Sequence, residues 1–204
     1  DGQGYTEAQI IEALRSIAQQ IKYDAQRAGY PVTYDRYNEY AYQLDHTALS
    51  DYLTRVGATG WLYKLLEVAY VTEYGREAHE QSALNLIFLI DTRLNDGFEI
   101  FGESDERYKI RGGNQQIPNR LAQMFADQIY YGHRLVAIHS HQGGYRLTFE
   151  REGGSMLDVD ADFVLLTLPF TILRQVDIRV PLPPVKRRAI QELGYGTNAK
   201  LILG

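Results

Sequence analysis

The stretch Tyr108–Phe125, YKIRGGNQQIPNRLAQMF, divides the chain. Tyr108 and Ile110 form a short β-prone lead into Gly112-Gly113. Ile117, Leu121, Phe125 and Ile129 then recur on one helical stripe. Pro118 falls in the first turn, where a missing N–H deprives no intrahelical partner. A β-prone segment, a glycine pair and a helix start make a joint where backbone can closely approach a flat or phosphorylated ligand. Upstream the chain reads as helices, downstream as strands.

Upstream, Thr6 and Gln9 form a capping box ahead of Ile10, Leu14, Ile17, Ile21 and Ala28 at helical spacing. Gly29-Tyr30-Pro31 ends that helix, and its short seam suits a packed domain helix better than a coiled coil. Residues 30–44 are tyrosine-rich without a clear period. A short helix carries Leu49, Tyr52, Leu53 and Val56 and closes at Gly57. A third carries Trp61, Leu62, Leu65, Leu66 and Ala69 and ends near Gly75. A fourth is expected from about Glu77 to Ile90, apolar in its second half. Asn95-Asp96-Gly97 signals a turn, Phe98–Phe101 a short strand, and Glu103–Arg107 a polar loop.

Downstream, Arg134–His141, Tyr145–Glu150 and Met156–Val159 are separated by Gly-Gly turns, the pattern of a small antiparallel meander. In the first strand Leu135 and Ala137 are expected on one face, Val136 and Ile138 on the other. Phe163–Leu168 (FVLLTL) is a continuous apolar run ended by Pro169, as expected of a strand buried on both faces. VPLPP at Val180–Pro184 is a stiff connector, Pro184–Leu193 a helix, and Ala199–Leu203 an apolar strand headed by Lys200.

Composition bounds the function. The 204 residues are 45% hydrophobic and 23% charged, the balance of an ordinary globular protein. A net charge of −5, with no Lys/Arg run that would suggest a phosphate track, argues against nucleic acid as a partner. With no cysteine, disulfides, thiolate metal sites and cysteine nucleophiles are excluded. The longest apolar run, Leu84–Ile90, is too short to span a bilayer. The sequence lacks an initiator Met and stops at LILG within a strand-like run, so it reads as a piece of a longer protein.

Candidate chemistry is sparse. His139 and His141 share a strand face near His133, but no carboxylate has a matching spacing, and no metal site is expected. Ser140 lacks a nucleophile elbow. Asp105, Glu106 and Arg107 fit a solvated ion-paired loop better than a catalytic acid cluster. Gly112-Gly113 lacks the G-x-G-x-x-G pattern of a dinucleotide site. Lys200 can be a buried amine seeking a partner or an exposed strand end, and spacing leaves both open. Tyr5 to Tyr74 includes most of the tyrosines, which could line an aromatic pocket or simply pack. The residues alone give an α/β (α+β) chain, a helical subdomain joined to an α/β part, without a complete active site.

Four segments in order resemble the middle of a flavin-dependent amine oxidase, the family of monoamine oxidases and L-amino acid oxidases. FGESDERYKIRGGNQQIPNRLA resembles the family's Gly-Gly segment and following helix, which places Gly112 and Gly113 beside the cofactor. HRLVAI resembles the next strand, whose valine contacts the adenine end of FAD through its backbone; the matching residue is Val136. ADFVLLTLP resembles the strand returning to the cofactor, with Thr167, Leu168 and Pro169 near FAD. PLPPVKRRAIQELGYGTNAKLIL resembles the proline connector, helix and strand whose lysine holds a water against the flavin N5; that position is Lys200. The match covers roughly Phe98–Leu203 and, more loosely, the helices from Asp45 onward.

The resemblance implies a helical substrate-side subdomain over residues 1–95. Residues 96–204 would form part of an FAD-binding, Rossmann-like domain with the meander. It implies an oxidase turning a primary amine or L-amino acid into the imine while O2 becomes H2O2. The family's N-terminal glycine fingerprint and its C-terminal aromatic segment are not in this sequence. FAD is therefore expected in a full-length parent and not to be held tightly, or used, by these residues alone. Alternatives are a related flavoprotein acting on C–C bonds, or a helical interaction module. Substrate identity, compartment and oligomeric state stay open.

Overall fold

A computed structural model describes residues 2–95, 97–102 and 107–203. The chain divides into two compact units, Asp1–Glu106 with Gly196–Gly204, and Arg107–Tyr195.

The first unit is helical. Its helices are α1 (Glu7–Ala28), α2 (Glu39–Asp45), α3 (Leu49–Arg55), α4 (Gly60–Tyr74) and the single turn α5 (Leu84–Ile87). The capping box forms as expected: the Gln9 amide N–H donates to Thr6 Oγ1, and the Thr6 N–H to Gln9 Oε1 at 2.8 Å. Leu14, Ile17, Ile21 and Ala28 are buried, and each large apolar side chain there contributes about 1.5–3 kcal/mol. Asn38 serves two helices at once. Its Oδ1 caps α2 by accepting from the Ala41 N–H, while its Nδ2 donates to the last carbonyls of α1, at Arg27 and Ala28.

The expected fourth helix does not run from Glu77 to Ile90. A 3-10 turn at Ala78–Glu80 and the short α5 replace it. The Leu49 N–H donates to Gln81 O and the Ala83 N–H to Thr47 O, so the backbone at the break bonds across to the start of α3 instead of along a helix. Buried Gln81 fixes the break by donating to Tyr70 O and Arg76 O. The expected strand Phe98–Phe101 is a turn, with Glu99 O accepting from the Asp91 and Gly102 N–H groups.

The second unit holds α6 (Gln116–Met124), β1 (His133–His141), β2 (Gly144–Arg151), β3 (Met156–Ala161), α7 (Phe170–Leu173), β4 (Asp177–Arg179) and α8 (Pro184–Glu192). The meander is present, extended by β4 into a sheet of order β3-β2-β1-β4, with β4 parallel to β1. Gln142 and Gly143 turn the first hairpin at φ +48° and +88°, the left-handed pair that matches strand twist. The faces of β1 differ from simple alternation. A register shift between Leu135 and Ala137 puts Leu135 opposite Phe149 and Ile138 opposite Leu147, so residues three apart reach the same core. That core comprises Ile138, Leu147, Leu173, Val176, Val180 and Ile190.

Candidate functional site

Arg111–Asn114 turns sharply before α6. Gly112 and Gly113 adopt φ of +87° and +93°, and the Gly113 N–H donates to Ile110 O at 2.9 Å. The Gln116 amide reaches back to Arg111 O and also lies 3.4 Å from Gly113 O. A Cβ on Gly112 would come within 2.7 Å of that amide, the movable end of an exposed side chain, so the backbone angle and not space favours glycine. Lys109–Asn114 are exposed and line an open concavity of about 730 Å³. The apolar face of α6 is not buried: Ile117, Leu121, Met124 and Phe125 all lie at the surface.

Val136 is the residue set aside by the β1 bulge. It has no register partner on β2, and β1 meets β4 only through Ala137–His139. A bulged residue keeps its backbone groups outside the ladder, free to meet another acceptor or donor.

Thr167, Leu168 and Pro169 end the FVLLTL run, and here the expectation of a doubly buried strand fails. Residues 163–168 form no strand ladder among the described residues. Val164, Leu166 and Leu168 pack against the sheet core, while Phe163 and Leu165 are 92% and 89% exposed. The run is extended with one face covered. Pro169 starts α7: its carbonyl accepts from the Ile172 and Leu173 N–H groups. The next N–H, of Phe170, donates to the Tyr195 hydroxyl at 2.8 Å, tying the end of this run to the GYG segment. Leu168 and the β1 residues Leu135 and Ile138 thus share one cluster, whereas the Gly112 turn closes on its own residues.

Lys200 lies in the other unit, on an exposed extended segment rather than in the expected strand; Leu201, Ile202 and Leu203 are each more than four-fifths exposed. Its approach is nonetheless fixed. Gly196 crosses Gly75 at the C-terminal end of α4, the Thr197 N–H donates to Gly75 O at 3.1 Å, and Asn198 Nδ2 donates to Thr72 O. A side chain at either glycine would strike the other backbone.

Of the remaining sequence candidates, His141 serves local structure. Arg146 forks onto Asp160 at 2.6 and 2.8 Å and also donates to His141 Nε2, which must therefore be the unprotonated acceptor. The hydrogen-bonded guanidinium holds the Asp160 carboxyl below the usual carboxylate range, on an exposed strand face. Among the described residues no group of three or more His, Asp or Glu side chains could hold a metal. Asp105 and Glu106 lie outside the described residues. The sequence reading missed Asp24, a buried residue on the core-facing side of α1. The signal was available, because Asp24 falls on the Leu14–Ile17–Ile21–Ala28 stripe.

The sequence profile described as flavin containing amine oxidoreductase matches residues 36–204. L-amino acid oxidase bordonein-L of Crotalus durissus terrificus is 24% identical over 98% of this chain and 36% of its own length. The L-amino-acid oxidase of Pseudechis australis is 23% identical over 95% of this chain and 40% of its own. Putrescine oxidase solved with putrescine bound aligns with a TM-score of 0.70 at 17% identity, over 96% of this chain and 42% of that one. At that identity the structural likeness establishes the fold. The chain spans well under half the length of these relatives. The matched stretch includes Gly112, Gly113, Val136, Thr167, Leu168, Pro169 and Lys200, and on it the chain belongs to the flavin-containing amine oxidoreductase family.

Proposed function

We propose that this chain is the substrate-side helical part and one wall of the cofactor site of an FAD-dependent oxidase acting on a primary amine or L-amino acid. The observation that carries the reading is the family match across residues 36–204. Local geometry supports the cofactor. Gly112 and Gly113 keep a side-chain-free turn open, and the bulge frees the backbone of Val136 for an adenine edge. Pro169 and Thr167 are exposed at the end of the extended run. These residues would hold FAD by backbone contact, with the pyrophosphate anchored by residues other than these. FAD, when bound, supplies the two-electron acceptor: hydride leaves the carbon bearing the amine, the imine is hydrolysed, and O2 takes the electrons to give H2O2. Lys200 would hold a water through its ammonium, which donates only. The helices of residues 1–95 would shape access for the amine.

The test uses a full-length protein carrying this chain, reconstituted with FAD. Peroxide release is expected with either L-amino acids or diamines, and the panel decides between them. A protein without flavin absorbance after reconstitution overturns the reading. Lys200→Met is expected to slow flavin reoxidation by about a hundredfold, the scale for deleting one charge-stabilising group. Unchanged reduction and reoxidation rates would remove that role.

A further inference from the structure

Between α7, β4 and α8 the second unit encloses a cleft of about 250 Å³ that the flavin reading does not use. Its floor is Leu173, Val176, Ile178 and Ile190, apolar side chains that belong to the sheet core. Leu173, Val176 and Ile190 are at most 8% exposed, so they are held by packing and cannot swing in to fill the space. The polar part of the lining is Arg174, Arg187 and the neutral Gln191; among the described residues no carboxylate borders the cleft.

The two arginines differ in what they are free to do. Arg174 is committed. Its Nε donates to Ile190 O and its Nη2 to Leu193 O, both at 2.6 Å, which satisfies carbonyls at the end of α8 and locks the guanidinium in place. Those partners are neutral, so the charge is not cancelled. Arg187 has no ion-pair partner among the described residues. Its neighbour Arg188 takes the only acid on the helix, Glu192, at 3.4 Å. An unpaired guanidinium beside an apolar floor matches a carboxylate, whose two oxygens fit the guanidinium fork, joined to a hydrocarbon body. On a chain of net charge −5 this is a local positive spot, and it selects an anion against the general field. The volume lies below the roughly 300–1,000 Å³ of drug-sized sites, which fits a single short chain or ring.

We propose that this cleft is a binding site for a small carboxylate with an apolar body, such as a medium-chain fatty acid, held by Arg187 over the Leu173–Ile190 floor. Its lining shares no residue with those assigned above to the flavin.

Titrating octanoate into the full 204-residue chain, with backbone amide NMR as readout, tests it. Saturable shifts confined to residues 173–191 are expected. Arg187→Gln is expected to weaken binding about tenfold, the scale of one charge-assisted hydrogen bond. Arg187 is exposed, so the variant keeps the fold. Octanamide, with the same tail and no charge, is expected to bind about tenfold more weakly than octanoate. Absence of saturable shifts, equal affinity for octanoate and octanamide, or an Arg187→Gln variant with undiminished affinity would each overturn the proposal.

Discussion

Asp24 holds three helices together through one carboxylate. Gln20 Nε2 and the Tyr40 hydroxyl donate to Oδ1 at 2.8 and 2.5 Å, and the buried Tyr52 hydroxyl donates to Oδ2 at 2.7 Å. Tyr40 comes from α2 and Tyr52 from α3, so the carboxylate joins both to α1. A buried acceptor with three donors is satisfied; the same donors without it are not. Asp24→Ala should cost about 3 kcal/mol in urea unfolding, against about 1 kcal/mol for Tyr40→Phe, because the alanine strands a buried phenol. An Asp24→Ala loss no larger than that of Tyr40→Phe would refute this account. The network also sets a pH limit. The Tyr52 phenol is pushed well above its usual value of 10.0 by burial, then by its bond to Asp24; Tyr40 is raised chiefly by its own bond to Asp24. A raised phenol pKa means the unfolded chain releases its proton first. The stabilisation is therefore intact below pH 10.0 and is lost as pH climbs from there towards the folded value. Urea midpoints should be flat up to about pH 9 and fall above about pH 10, less steeply in Tyr52→Phe.

At the scale of elements, the glycine crossing that fixes the Lys200 segment makes a sharp prediction. A Cβ on Gly196 would sit 2.8 Å from Gly75 Cα and 3.0 Å from Tyr74 O, both backbone atoms that cannot rotate away. Gly196→Ala should destabilise the helical unit by about 1–3 kcal/mol, measured as the tryptophan-detected urea midpoint. Gly4→Ala, with open space around its Cβ, is the control that should not. The half-covered run gives a second prediction, set by which face is covered. Leu165→Lys should change stability by no more than about 0.5 kcal/mol in this chain, because Leu165 is 89% exposed, whereas Leu166→Lys should unfold the sheet unit. Equal losses at 165 and 166 would mean that both faces are packed. These elements also show which signals the sequence carried. The capping box, the Gly-Gly hairpins and the Gly112–Gly113 turn were readable because local residue chemistry dictates them. The break at Gln81 was not, since it depends on Thr47 and Leu49 offering backbone partners from another helix. The bulge at Val136 was not, because alternation of apolar residues cannot show where a register slips. FVLLTL was misjudged for a related reason: an apolar run records what a strand can be buried against, not what covers it in this chain.

Taken whole, the molecule carries two cores of unequal size. The helical unit buries long apolar stripes from α1 through α5, with fully enclosed Leu14, Ile21, Leu49, Leu53, Leu66 and Leu86. The sheet unit buries a much shorter set, and its least exposed member, Ile138, retains 3% exposure. Stability from burial grows with apolar area removed from water, so the two units should not share one transition. Trp61, the only tryptophan, stacks on Tyr5 at 4.2 Å within the helical unit and reports on that unit alone. Amides of β1 and β2, such as Ile138 and Leu147, report on the other. In urea, the sheet amides should lose protection at a lower midpoint than the tryptophan signal, and Asp24→Ala should shift the tryptophan midpoint downward while leaving the sheet midpoint in place. Coincident transitions that move together in that variant would instead make the chain one cooperative body, with the two cores stabilising each other.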